Sequence, residues 1–154
     1  MAELRNLSFV GLDEVPPEVE RLLAGHVAVG RWSLAQICNH IATGIRLTLD
    51  APVRSFESTP EKDADRRRFF EQGRFPEGME APIPVLIPTP DPNARAEADA
   101  LRDVIDRFAT FAGPLPAHPR LGPMTRDEWT RFHCLHCAHH LGFIVSDQEQ
   151  TPSA

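Results

Sequence analysis

No apolar run in this chain approaches the roughly 18 residues that a membrane-spanning helix needs. The chain also lacks an excess of positive charge. Its 16 Lys and Arg face 22 Asp and Glu, for a formal net charge of −6. That balance excludes the basic footprint of a nucleic-acid binder. Cysteine is scarce and odd in number, at three in 154 residues. Three cysteines cannot staple a disulfide scaffold, and they fit a reducing compartment. The first twenty residues show no basic stretch followed by an apolar one, so no signal peptide is expected. A cytoplasmic protein is the expectation. Lysine is nearly absent, with Arg supplying every basic residue except Lys62. Internal repeats are missing, and so is any convincing apolar/polar alternation of the kind a half-buried strand shows.

What is present suits a soluble globular chain, with 42% hydrophobic and 25% charged residues. The length supports one domain, residues 1–154, with its core at about 9–146. Fifteen prolines mark the joints. Helices are predicted over Asp13–Ala24, with Pro16 and Pro17 in the first turn, and over Ser33 to about Leu49, where Ser33 caps and Pro52 forces a stop. A third, highly charged helix is predicted over Pro60–Gln72, with Arg66, Arg67 and Arg68 as a solvated face. Phe75 to Pro92 is too rich in proline for helix or interior strand. It reads as a long crossover pinned to the protein by Ile83, Val85, Leu86 and Ile87. Asn93 caps a fourth helix to Phe111, in which Leu101, Val104, Ile105 and Phe108 recur at helical spacing. Thr125, with Glu128 three residues on, caps a last helix running to about Val145. The fold class is therefore all-α, with four main helices and one or two minor ones.

Four of the seven histidines and two of the cysteines crowd into His133–His140, "HCLHCAHH". A helix advances about 100° per residue, so His136 and His140 share one face, one turn apart. His133 joins that face with Trp129, Phe132 and Phe143, and this is the expected inward face. His139 lies on its flank. Cys134 projects roughly opposite His136, and Cys137 about a quarter-turn away. A zinc clip needs all four ligands to converge, which one continuous helix prevents. A CxxC redox pair belongs at a helix start, usually after a strand, and neither condition holds. Buried, inert cysteine is the reading for Cys38, Cys134 and Cys137.

Two histidines at i and i+4 can reach one metal ion, but the spacing alone is weak, and hydrogen-bonded core histidines are the alternative. "WSLAQICNHIA" offers a third ligand in His40, whose helix face also carries Ser33, Gln36 and Gly44. Three neutral imidazoles with an open position describe a catalytic type of metal site. Imidazole suits zinc, nickel, iron or copper. Arg120, beside His118 in "AHPRLG", reads as a surface-loop arginine rather than an anion-binding group at a pocket mouth.

The segments "WSLAQICNHIA", "HPRLGPMTRDEW" and "HCAHHLGF" resemble the DinB/YfiT-like superfamily of metal-dependent enzymes, and most of all a branch of unknown function within it. The resemblance runs from about Phe9 to Phe143. It implies a four-helix bundle with a long crossover, often dimeric. It also implies a divalent metal on one histidine of the second helix and two of the last, which here are His40, His136 and His140. It implies thiol S-transferase or hydrolase chemistry on a small molecule, with a low-molecular-weight thiol as partner in some members. No catalytic residue beyond the metal ligands is assigned. After Leu141 the chain departs from the branch, carrying Gly142-Phe143 where a glutamine commonly precedes the phenylalanine. Two other functions compete with this one: a metal-stabilised helical bundle without catalysis, and a thiol redox protein using Cys134 and Cys137.

Overall fold

The computed structural model describes residues 4–51, 57–75, 84–90 and 92–150, with the side chains of 149 and 150 left aside. Among these, helix dominates. Five α-helices are present: α1 (Val15–Leu23), α2 (Leu34–Asp50), α3 (Pro60–Gln72), α4 (Ala94–Thr110) and α5 (Arg126–Leu141). Short 3-10 turns stand at Leu12–Glu14, Pro84–Leu86 and Asp147–Gln150.

The helix starts follow from local chemistry. Ser33 accepts a hydrogen bond from the Gln36 amide, and the Gln36 side chain accepts one from the Ser33 amide. Thr125 and Glu128 make the same reciprocal box at the start of α5. Each box satisfies two amides that an open helix end would leave bare. Thr59 and Asn93 cap α3 and α4 through their side-chain oxygens. Ser33→Ala and Thr125→Ala are each expected to lower unfolding free energy by about 1 kcal/mol. Urea denaturation measures this, and an unchanged midpoint in both would show the caps to be idle.

The core lies between α1, α2, α4 and α5. Val15, Val19 and Leu22 of α1 meet Leu34, Ile37, Ile41 and Ile45 of α2 and Leu101, Val104, Ile105 and Phe108 of α4. Helix α3 buries no residue. It is held from the side: Arg66 Nη1 donates to the Leu121 carbonyl at 2.6 Å, and Arg131 Nη2 of α5 donates to the Phe70 carbonyl at 2.8 Å. Arg66 is thus a fastener, while Arg67 and Arg68 face solvent as expected.

Two expectations need correction. The last helix does not continue to Val145. It ends at Leu141, and a short antiparallel pair forms between β1 (His26–Ala28) and β2 (Ile144–Ser146), with Val27 opposite Val145. The stop has a tertiary cause. A Cβ on Gly142 would stand 2.7 Å from the Arg5 carbonyl oxygen, so only glycine lets the N-terminal segment cross here. Arg5 then takes up the freed α5 end: its amide donates to the Gly142 carbonyl, Nε to that of Ile144 at 2.7 Å, and Nη2 to that of Leu141 at 3.2 Å. Glu18 of α1 holds the same guanidinium at 2.7 Å.

The second correction concerns the crossover. Val85 and Ile87 are exposed and Leu86 is half-buried, while Pro88 is buried. The 3-10 turn points the aliphatic side chains outward, and the segment is fastened by its backbone carbonyls. Ile83 and Pro52 lie outside the described residues.

Candidate metal centre

Helices α2 and α5 pack against each other, and their facing turns bring three imidazoles together. Nε2 of His40 and Nε2 of His136 are 3.0 Å apart. Nε2 of His140 and Nε2 of His136 are also 3.0 Å apart. One ligand nitrogen from each of the three rings lies within 4.8 Å of the others. Gly44 leaves room for this meeting. A Cβ there would stand in ordinary contact with the His136 ring, 3.7 Å from Cε1, so the glycine faces the imidazole directly.

Nδ1 of His40 lies 2.7 Å from the Leu86 carbonyl oxygen. A carbonyl only accepts, so Nδ1 carries the proton and donates it. Burial lowers the His40 pKa, with the Leu86 bond opposing it, so the ring is neutral near pH 7 and Nε2 is a bare lone pair. Burial also pushes His140 down to about 3, helped by His40 and His139. It holds His136 well below its ordinary value, helped by His140 and His40.

Three neutral rings in this arrangement do not satisfy one another. A ring nitrogen has one in-plane site, either a proton or a lone pair. If His136 Nε2 carries the proton, it can serve one of its two 3.0 Å neighbours and not the other. If it does not, it meets the lone pair of His40 directly. At least one contact is therefore not a hydrogen bond. A cation shared by all three lone pairs removes the conflict. Nitrogens about 2.1 Å from one ion stand roughly 3.4 Å apart at tetrahedral angles and roughly 3.0 Å apart at right angles, so the two 3.0 Å contacts at His136 are of the order a shared ion sets. The residues fit a divalent ion of the imidazole-binding kind.

Aromatic rings flank the three histidines. Trp32 stacks on His140 at 5.5 Å between centroids and tilts over His40 at 4.8 Å. Phe75, at the end of the α3 segment, lies 4.9 Å from the His136 ring. Neither ring carries a ligand spacing, so the sequence alone gives them no role.

The profile of a family described as "Protein of unknown function (DUF1569)" matches residues 1–147. The chain belongs to the DUF1569 family. Searches of curated proteins and of solved structures found no match.

In this DUF1569 chain the other histidines do other work. His133 does not join the row. It is 2% exposed and turns to Thr48, whose hydroxyl already donates to the Gly44 carbonyl and so accepts from His133 Nε2 at 3.1 Å. Its ring stacks on Trp129 and meets Phe108 edge-on, and burial pushes its pKa down to about 3. The buried stripe of α5 is Trp129, His133, Cys134, Cys137 and Leu141. The inward face is therefore rotated toward the cysteines, and His136 and His140 sit at its edge, where they reach α2. His139 packs on His140 and Phe143, outside the triad. His118 Nδ1 accepts from the amides of Arg120 and Leu121, while the Arg120 side chain is exposed.

All three cysteines are free and buried. Burial pushes the Cys38 thiol up to about 12 and Cys134 to about 11, and raises Cys137 well above its usual value. Thiols so placed carry almost no thiolate at neutral pH. A colourless-to-coloured disulfide reagent should therefore label none of them in the native protein and all three in denaturant. Rapid labelling of Cys134 or Cys137 in the native state would revive a redox role.

Proposed function

We propose that this DUF1569 protein binds one divalent cation on Nε2 of His40, His136 and His140, within a DinB-like four-helix bundle. We propose further that it acts on a small molecule as a metal-dependent enzyme of the thiol-transfer or hydrolytic type. The observation that carries the reading is the pair of 3.0 Å contacts at His136 Nε2, which neutral imidazoles cannot both turn into hydrogen bonds. A cation bound there supplies Lewis acidity, lowering the pKa of a bound water or thiol.

The chain's own groups prepare that chemistry. Leu86 fixes the His40 tautomer, so that Nε2 is the donor without any rearrangement. Three neutral ligands add no negative charge, which keeps the site electrophilic. Trp32 and Phe75 pack tilted against His40 and His136 and buttress the rings.

A structural ion is the second reading. It is favoured by the absence, among the described residues, of any carboxylate hydrogen-bonded to or paired with the three rings. Metal analysis of untagged protein, followed by a screen of thiols with electrophiles, separates the two. About one equivalent of metal with turnover supports the enzyme. Metal without turnover supports the structural ion, and no uptake of zinc, nickel or iron rejects both.

A further inference from the structure

Gln36 and His40 are one turn apart on the same face of α2. Both hold the crossover. His40 Nδ1 donates to the Leu86 carbonyl at 2.7 Å. Gln36 Nε2 donates to the Thr89 carbonyl at 3.3 Å, with a longer branch to that of Pro90 at 3.5 Å. The crossover therefore runs antiparallel to α2, fastened at two points one helical turn apart. Between them Pro88 is buried and Ile87 closes the 3-10 turn through its amide to the Pro84 carbonyl. The neighbouring Val85 and Ile87 side chains are exposed and add little grip.

The same Gln36 side chain is also half of the α2 capping box. Its Oε1 accepts from the Ser33 amide at 3.0 Å. One amide group thus uses its oxygen for the helix start and its nitrogen for the crossover.

We infer that Gln36 is a positioning residue for the metal site. By holding the crossover carbonyls it keeps the Leu86 oxygen against His40, and this presents His40 Nε2 to the ion. The inference rests on the triad being a metal site, and it names a part of that site that touches no ligand nitrogen. Outer partners that orient a metal-bound histidine are commonly worth 10- to 100-fold in affinity.

Gln36→Glu separates the two jobs. Glutamate is the usual residue at this position of a capping box, so the oxygen acceptor and the helix start survive. The donor to Thr89 and Pro90 is lost, and a carboxylate oxygen faces their carbonyls instead. Ser33→Ala is the converse variant, weakening the cap while leaving the tether. Affinity for Zn2+ and for Ni2+ is measured by competition with a chromophoric chelator on the full chain. In Q36E it is expected to fall about tenfold, against the attraction that an added negative charge gives a cation. In S33A it should stay within about twofold of wild type. In the metal-free protein, 15N NMR should find His40 as the Nδ1–H tautomer in wild type and S33A, and a mixture in Q36E. Unchanged affinity in Q36E overturns the inference, as does an equal loss in S33A. If the wild type takes up no ion, the metal reading fails, and an unchanged His40 tautomer in Q36E then overturns the tether by itself.

Discussion

His136→Ala protein is expected to purify with less than about a tenth of the metal carried by wild type. Its affinity for added Zn2+ or Ni2+ is expected to be at least about 100-fold weaker, beyond what loss of an outer partner costs. His136 is the hub of the cluster, because both 3.0 Å contacts run through its Nε2. Without it, His40 and His140 remain in ring contact at 4.5 Å, two donors where three had met. Binding that occurs only in the folded state also stabilises that state, by about 4 kcal/mol when free ion is a thousandfold above Kd. A chelator should therefore lower the melting temperature of wild type and leave that of H136A unchanged. Two controls locate the effect. His139→Ala should keep its metal, since His139 packs outside the triad. His133→Ala should keep it too, while losing about 2–4 kcal/mol of stability from the void beside Trp129 and Phe108. Metal retained in H136A, or lost only in H139A, would falsify the assignment.

The metal-free protein should unfold steeply on acidification. His133 and His140 are held at about 3 and His118 at about 4, in each case chiefly by burial. The unfolded chain binds these protons near pH 6.5 and the folded chain refuses them until far lower pH. The sign follows: the stability is whole above about pH 6.5 and is lost as pH falls toward the folded values. Each group costs about 1.4 kcal/mol per pH unit, hence about 2 kcal/mol by pH 5 and about 6 kcal/mol for the three. His40 and His136 shift in the same direction and add to the loss. A domain of ordinary stability, about 5–15 kcal/mol, has little left at that point. Urea midpoints between pH 7 and 5 should fall with a slope of about three protons. A slope below one proton would mean that these histidines protonate freely in the folded state.

Much of the helical frame was legible because its signals are local. Ser33, Asn93 and Thr125 cap where they were expected to. His40, His136 and His140 could be placed on faces because an i, i+4 pair and a glycine one turn away survive as simple spacing. What escaped depends on partners distant in sequence. The strands are three residues long, too short to show alternation. The α5 stop depends on the Arg5 backbone crossing Gly142. The rotation of α5 escapes because cysteines and histidines compete for its buried side, and only the core it shares with α2 and α4 decides between them. A carbonyl such as Leu86's leaves no mark in sequence, since every residue has one.

The arginine that closes α5 has a consequence for synthesis on the ribosome. Arg5 and Ile144 are 139 residues apart, and His40 and His136 are 96 apart. Contacts of such separation form late, because the chain must first close a long loop. Helices α1, α2 and α4 can associate while the C-terminal segment is still being translated. The histidines of α5 cannot be set until α5 has emerged and returned to α2.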